Sequence, residues 1–106
     1  KEEKRRERVY GELVYDFDDK TLKRHDSAVE LTALEVRLLE YFIRNRGIVL
    51  TRENLLEKIW DARERYVEEK TLNVNIRRLR KKIEDNPEEP RHIRTVFGIG
   101  YKWEDN

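Results

Sequence analysis

The period of the hydrophobic pattern changes twice along this chain, and those changes restrict the fold more than any other feature. From Val9 to Leu31 apolar and polar residues alternate in short runs. Glu12-Leu13-Val14-Tyr15-Asp16-Phe17, Thr21-Leu22-Lys23-Arg24 and Ala28-Val29-Glu30-Leu31 are strand-like, with turn-like Asp18-Asp19-Lys20 and His25-Asp26-Ser27 between them. Alternation sends side chains to opposite faces of a strand, so a small antiparallel sheet is the economical reading.

At Thr32 the spacing becomes helical. Thr32 and Glu35 stand in the S/T-x-x-E relation in which each side chain satisfies an orphan amide at a helix start. Leu34, Leu38, Tyr41 and Phe42 follow on one face and Gly47 supplies a stop, which predicts a helix from about Ala33 to Asn45. Thr51 is expected to cap a shorter helix with the stripe Leu55, Leu56, Ile59 and Trp60. A charged connector follows, and a third helix is predicted from about Val67 to Glu84, ending before Asn86-Pro87. The second change of period comes after it. Ile93-Arg94-Thr95-Val96-Phe97 and Tyr101-Lys102-Trp103 flank Gly98-Ile99-Gly100, the pattern of a β-hairpin.

The 106 residues suffice for one domain. The opening stretch KEEKRRER has no apolar face, so residues 1–8 are expected to be a linker or the remnant of an upstream segment, and residues 9–106 the domain. The chain begins with Lys1 and is expected to be cut from something longer. Cysteine is absent, which excludes disulfides, thiolate metal sites and cysteine nucleophiles. No apolar run approaches the roughly 20 residues of a membrane span, so a cytoplasmic protein is expected. Catalysis, metals and cofactors find no support. His25 and His92 lie far apart in sequence and are expected at the surface. Ser27 lacks a G-x-S-x-G context, no phosphate-binding glycine loop occurs, and the carboxylates are read as ordinary partners of Arg on exposed helix faces.

Lys and Arg total 24 against 23 Asp and Glu, a net charge of +1 that conceals a sharp local asymmetry. Leu72, Ile76, Leu79 and Ile83 fall within about 60° of one another on a helical wheel and form the core side of the third helix. Thr71, Val74, Arg78 and Lys81 lie opposite, flanked by Lys70, Asn75, Arg77 and Lys82. Between Lys70 and Lys82 there are six basic residues and no acidic one. A basic face is often merely solvated. This one also offers short residues that let a helix sit deep in the DNA major groove, and Arg and Asn, whose side chains can bond guanine and adenine edges in pairs. A short helix precedes it, as helix-turn-helix readers require. Arg94, Thr95 and Lys102 in the hairpin are placed to meet phosphates. The competing reading is a winged-helix protein-interaction module without specific DNA binding.

The stretch Thr71-Leu72-Asn73-Val74-Asn75-Ile76-Arg77-Arg78-Leu79-Arg80-Lys81-Lys82-Ile83, followed by Thr95-Val96-Phe97-Gly98-Ile99-Gly100-Tyr101, resembles the winged-helix effector domain of OmpR/PhoB-type response regulators. So do Leu31-Thr32, Glu35, Leu38-Leu39, Gly47, Thr51-Arg52-Glu53, Leu55-Leu56 and Trp60. The resemblance runs from Val9 to Trp103. It implies an α+β fold: a four-stranded N-terminal antiparallel sheet, three helices as a winged helix-turn-helix, and a C-terminal β-hairpin wing at residues 93–103. It implies a two-component transcription regulator bound to double-stranded DNA as tandem copies on direct repeats, with the third helix in the major groove and the wing at the minor groove. By the same resemblance Thr71, Val74, Asn75 and Arg78 face bases, Arg77, Arg80 and Lys81 serve mainly phosphates, and Thr95 and Tyr101 contact the backbone near the wing. Asp61, Ala62, Arg63, Glu64, Arg65 and Tyr66 match the loop that meets RNA polymerase in activators. An upstream phosphoacceptor receiver domain and a cognate sensor kinase, acting by phosphorelay, are implied as further partners. Phe97 stands where many members carry a minor-groove Arg; it is expected to pack into the hairpin, with contact against sugars as the alternative. Asn75 occupies a position often held by His.

Overall fold

Tight turns between short alternating segments produce the first layer of the molecule. The computed structural model describes residues 6–59 and 69–104, and of Glu69 and Lys70 the backbone alone. The first sheet is an antiparallel meander of β1 (Glu7–Tyr10), β2 (Leu13–Asp16), β3 (Thr21–Arg24) and β4 (Ser27–Val29), paired in chain order. Tyr15 stands opposite Leu22 and Leu22 opposite Val29, so one face is apolar and covers the core, while Val14, Lys23 and Ala28 share the other. Arg24 pairs with Ser27 across the two-residue turn His25-Asp26, both at positive φ (51° and 67°), which suits the right-handed twist of a hairpin. β1 begins inside the segment expected to be a linker: Glu7 pairs with Asp16 and Arg8 with Tyr15. Its mixed charges concealed it, because as an edge strand it buries only Tyr10.

Helix α1 (Ala33–Arg44) starts with the predicted capping box, Glu35 N–H donating to Thr32 Oγ1 at 3.2 Å and Thr32 N–H to Glu35 Oε1 at 3.0 Å. After it come β5 (Val49–Thr51), α2 (Arg52–Ile59) and α3 (Glu69–Ile83). Thr51 caps α2, its Oγ1 accepting the Asn54 N–H at 3.0 Å. Leu38, Leu39, Phe42 and Ile43 of α1 meet Leu55 and Ile59 of α2 and the stripe Leu72, Ile76, Leu79, Ile83 of α3 in one buried core. β6 (Ile93–Val96) and β7 (Gly100–Trp103) close the chain. The wing is more than the predicted hairpin, since β5 adds to β7 and makes a three-stranded sheet in the order β5-β7-β6. β7 passes so close to β5 that a Cβ at Gly100 would fall onto the Leu50 carbonyl oxygen, so only glycine fits there.

His92, expected at the surface, is buried instead, as are two carboxylates. His92 is 3% exposed, its ring stacked on Trp103 at 5.3 Å between centroids and its Nε2 3.4 Å from Glu12 Oε2. Glu84 and Glu35 are equally enclosed. The Glu84 carboxylate accepts the backbone N–H of Arg91 at 2.7 Å, of His92 at 3.0 Å and of Ile93 at 2.9 Å, binding the end of α3 to the start of β6. Glu35, besides capping α1, accepts from Lys82 Nζ at 2.6 Å and so joins α1 to α3. Burial raises the pKa of Glu35, but the bonds from Lys82 and Thr32 outweigh it and hold the carboxyl below its ordinary value.

Two outcomes follow from these carboxylates. Glu84→Ala leaves three backbone amides, two of them buried, without an acceptor and should cost about 2–3 kcal/mol in urea unfolding, with Glu84→Gln costing less; an unchanged midpoint for Glu84→Ala would refute the tether. Because the folded-state pKa of Glu35 is depressed, its stabilisation is complete above the unfolded value of about 4.3 and is lost as pH falls through the folded value. The stability gap between wild type and Glu35→Gln should therefore narrow below about pH 4 in acid titrations of unfolding. A gap independent of pH would contradict this.

Candidate nucleic-acid interface

α3 divides its basic residues between outward and inward work. Thr71, Arg77, Arg78 and Lys81 are exposed and Val74 is half-buried on the same outward face. Among the described residues none of those three cations meets a carboxylate, whereas Lys82 is committed to Glu35 and to the Glu30 carbonyl. This is the face that the apolar stripe pushes away from the core.

Asn75, expected to face bases, is 8% exposed and its Nδ2 donates to the Thr71 carbonyl at 2.9 Å. It lies only about 40° from Leu79 around the helix, close enough to the core stripe to be drawn inside. Arg80, expected on phosphate, turns to the wing. Its Nε and Nη2 donate to the Ile93 carbonyl at 3.0 and 2.8 Å, and Nη2 also donates to Thr95 Oγ1 at 2.9 Å. Burial lowers the Arg80 pKa, with the charges of Tyr101 and Glu84 opposing. Thr95 is thus a partner of Arg80 before it is a contact for anything outside. Tyr101, expected to touch the DNA backbone, is 5% exposed and its hydroxyl donates to Asn73 Oδ1 at 2.9 Å. The guanidinium groups of Arg52 and Arg80 lie over its ring, 5.9 and 5.5 Å from the centroid.

Phe97 does not pack into the hairpin. It is 88% exposed, because Gly98 at φ 78° and the Ile99 N–H donated to the Val96 carbonyl at 3.0 Å close the turn beneath it. Arg52 and Asn73 also belong to this surface, and their link to the wing passes through Tyr101 and is invisible to helical spacing. Asp61, Ala62, Arg63, Glu64, Arg65 and Tyr66 lie outside the described residues.

The cations gather along a trough. A groove of about 420 Å³ is lined by Arg52, Asn73, Arg77, Arg80, Lys81 and Tyr101 together with Pro87 and Glu88. A second, of about 780 Å³, shares Arg80 with it and extends past Arg94 and Thr95 to Phe97. No cluster of His, Asp and Glu among the described residues could hold a metal, and no described helix is long and apolar enough to cross a membrane. Basic side chains on an outward helix face beside a tethered wing can bind a polyanion in one orientation, which is the geometry of helix-turn-helix docking.

Residues 26–103 match the family described as "Transcriptional regulatory protein, C terminal". The sensory transduction protein RegX3 of Mycolicibacterium smegmatis is 42% identical over 95 residues, covering 89% of this chain and 41% of RegX3. The chain therefore spans less than half the length of that relative. The Thermotoga maritima response regulator DrrB, an OmpR/PhoB homologue, superimposes with a TM-score of 0.85 at 35% identity, over 92% of this chain and 44% of DrrB. The RstA DNA-binding domain of Klebsiella pneumoniae, solved in complex with the RstA box, superimposes with a TM-score of 0.79 at 26% identity, over 95% of this chain and 99% of that domain. This chain belongs to the family of C-terminal domains of transcriptional regulatory proteins, in its OmpR/PhoB-type winged-helix form.

Proposed function

We propose that this chain is the sequence-specific double-stranded DNA-binding domain of a two-component response regulator, with α3 in the major groove and the wing at the adjacent minor groove. The observation that carries the reading is the outward face of α3, where Thr71, Arg77, Arg78 and Lys81 stand exposed while the opposite stripe is locked in the core. Thr71, Val74 and Arg78 are assigned to base edges, because Thr71 and Val74 are short side chains on the outward face and Arg78 can bond a guanine through two donors. Arg77 and Lys81 are assigned to phosphates. Asn75 and Arg80 are reassigned: Asn75 holds the helix interior and Arg80 holds the wing. Thr95 and Tyr101 act through the wing that they help to build.

Relatives of more than twice this length support a longer regulator, in which residues before β1 lead from a receiver domain phosphorylated by a sensor kinase. Pairing of receivers would place two copies of the domain on direct repeats, and the 61–67 segment would be free to meet RNA polymerase. A cytoplasmic location follows from that reading.

Selection of random duplexes by the chain, followed by sequencing at two salt concentrations, tests the proposal. A short enriched motif supports it; no binding at low salt refutes it and moves the protein-interaction module to first place. On the enriched site Arg78→Ala should cost about 1–3 kcal/mol and blur one position. Lys81→Ala should weaken all sequences alike and lower the salt slope by about one. Asn75→Ala should lower thermal stability and leave the sequence preference unchanged, and a changed preference would return Asn75 to the bases.

A further inference from the structure

The wing ends in two exposed apolar side chains, Phe97 at 88% and Ile99 at 50%, on either side of Gly98. One exposed hydrophobe needs no explanation. These two, however, are held in place. The turn beneath them is closed by the Ile99 N–H on the Val96 carbonyl, and the strands behind are anchored by Glu84, by Arg80 and by the close crossing of β7 over β5 at Gly100. The apolar tip is therefore presented by a braced hairpin.

Its surroundings identify the kind of surface it fits. Phe97 lines the groove that holds Arg91 and Arg94 and runs through Arg80 to the outward face of α3. Ile99 lines a separate hollow of about 310 Å³ beside Arg52 and Glu53. Glu88 and Glu89 line the Phe97 groove too, together with Arg80, Arg91 and Arg94, so cations outnumber carboxylates there. An apolar tip whose larger groove carries three arginines against two glutamates complements a partner with anions at its rim and flat apolar groups inside. Duplex DNA has that construction, with phosphates outside and stacked bases within.

From this we infer that Phe97, backed by Ile99, is an apolar wedge that enters the minor groove and partly unstacks one base step beneath the wing. Proteins that bind the minor groove use Phe and Ile in this way, opening a step to bring more duplex against the protein. Unstacking is easiest at pyrimidine–purine steps, so the wing selects sequence through deformability, with no hydrogen bond to a base. The inference rests on the DNA reading proposed above.

The test uses the 106-residue chain on its selected duplex, with 2-aminopurine placed in turn at each step flanking the α3 contact. Wild type should raise the fluorescence at one step. Phe97→Ala should abolish that rise and weaken binding about tenfold, while the α3 footprint stays in place; Phe97→Leu should keep part of both. Phe97→Arg should recover affinity through phosphate, steepen the salt slope by about one and leave the step stacked. Replacing a pyrimidine–purine step there with a stiff A-tract should weaken wild type and spare Phe97→Ala. Because Phe97 touches no core, the thermal midpoints of the variants should match, which separates a wedge from a folding defect. Specific binding with no rise at any step, or a Phe97→Ala variant equal to wild type on DNA, would overturn the wedge and leave the DNA reading standing. Absence of DNA binding by wild type would overturn both.

Discussion

The carboxylate of Glu84 is the constraint on which the arrangement of helix and wing depends. It sits at the end of α3, is 2% exposed, and accepts three consecutive backbone amides of the chain that turns into β6. A buried acceptor with this many donors fixes the direction of the strand as well as its position, because each amide must point at the same two oxygens. Arg24 extends the joint by donating from Nη1 to the Glu84 carbonyl at 2.9 Å, which ties the β3–β4 hairpin to the same helix end. One residue thus connects the N-terminal sheet, α3 and the wing.

α3 works as a post with four different sides. Leu72, Ile76, Leu79 and Ile83 fill the core. Lys82, about 60° from Leu79 on one flank, reaches Glu35 and so couples the helix to the capping box of α1. Arg80 and Asn73, on the other flank, hold the wing through Ile93, Thr95 and Tyr101. Only the remaining side, centred on Val74 and Lys81, is free for a partner. This sorting resolves the paradox of a DNA-reading surface on a chain of net charge +1. Carboxylates such as Glu35 and Glu84 are used inside as acceptors for the protein's own donors, so they do not cancel the outward cations where a phosphate would approach.

The parts of this structure that obey a local rule were legible in the sequence. The Thr32–Glu35 box, the Thr51 cap, the α3 stripe and the glycine turn of the wing each depend on residues a few positions apart. β5 escaped because three residues next to a helix carry no period, and β1 because an edge strand buries one side chain in four. The two side chains found turned away from the expected contact surface share a cause. Asn75 and Arg80 both stand on the borders of the outward face, and on a border it is the neighbouring element that decides where a side chain goes. For Arg80 that neighbour is β6, 13 residues away from it at Ile93. For Glu84 it is the backbone of Arg91, His92 and Ile93, and for His92 it is the ring of Trp103, which no spacing rule connects.

The uncharged wing tip changes how recognition divides between charge and shape. A cation at the tip would add a counterion-releasing phosphate contact and a uniform gain in affinity on every sequence. Phe97 can add neither, so in the proposed complex the electrostatic part of binding falls to Arg77, Arg78 and Lys81 on α3 and to Arg94 at the foot of the wing. What a buried aromatic ring can add depends on whether the groove beneath opens, and that cost is set by the DNA sequence itself. On the wedge proposed above, such a wing would discriminate without a directional bond, provided that its tip cannot yield in place of the duplex. The Glu84 joint, the Arg80 fork and the close crossing at Gly100 meet that condition by fixing both strands of the hairpin to elements that the core already holds.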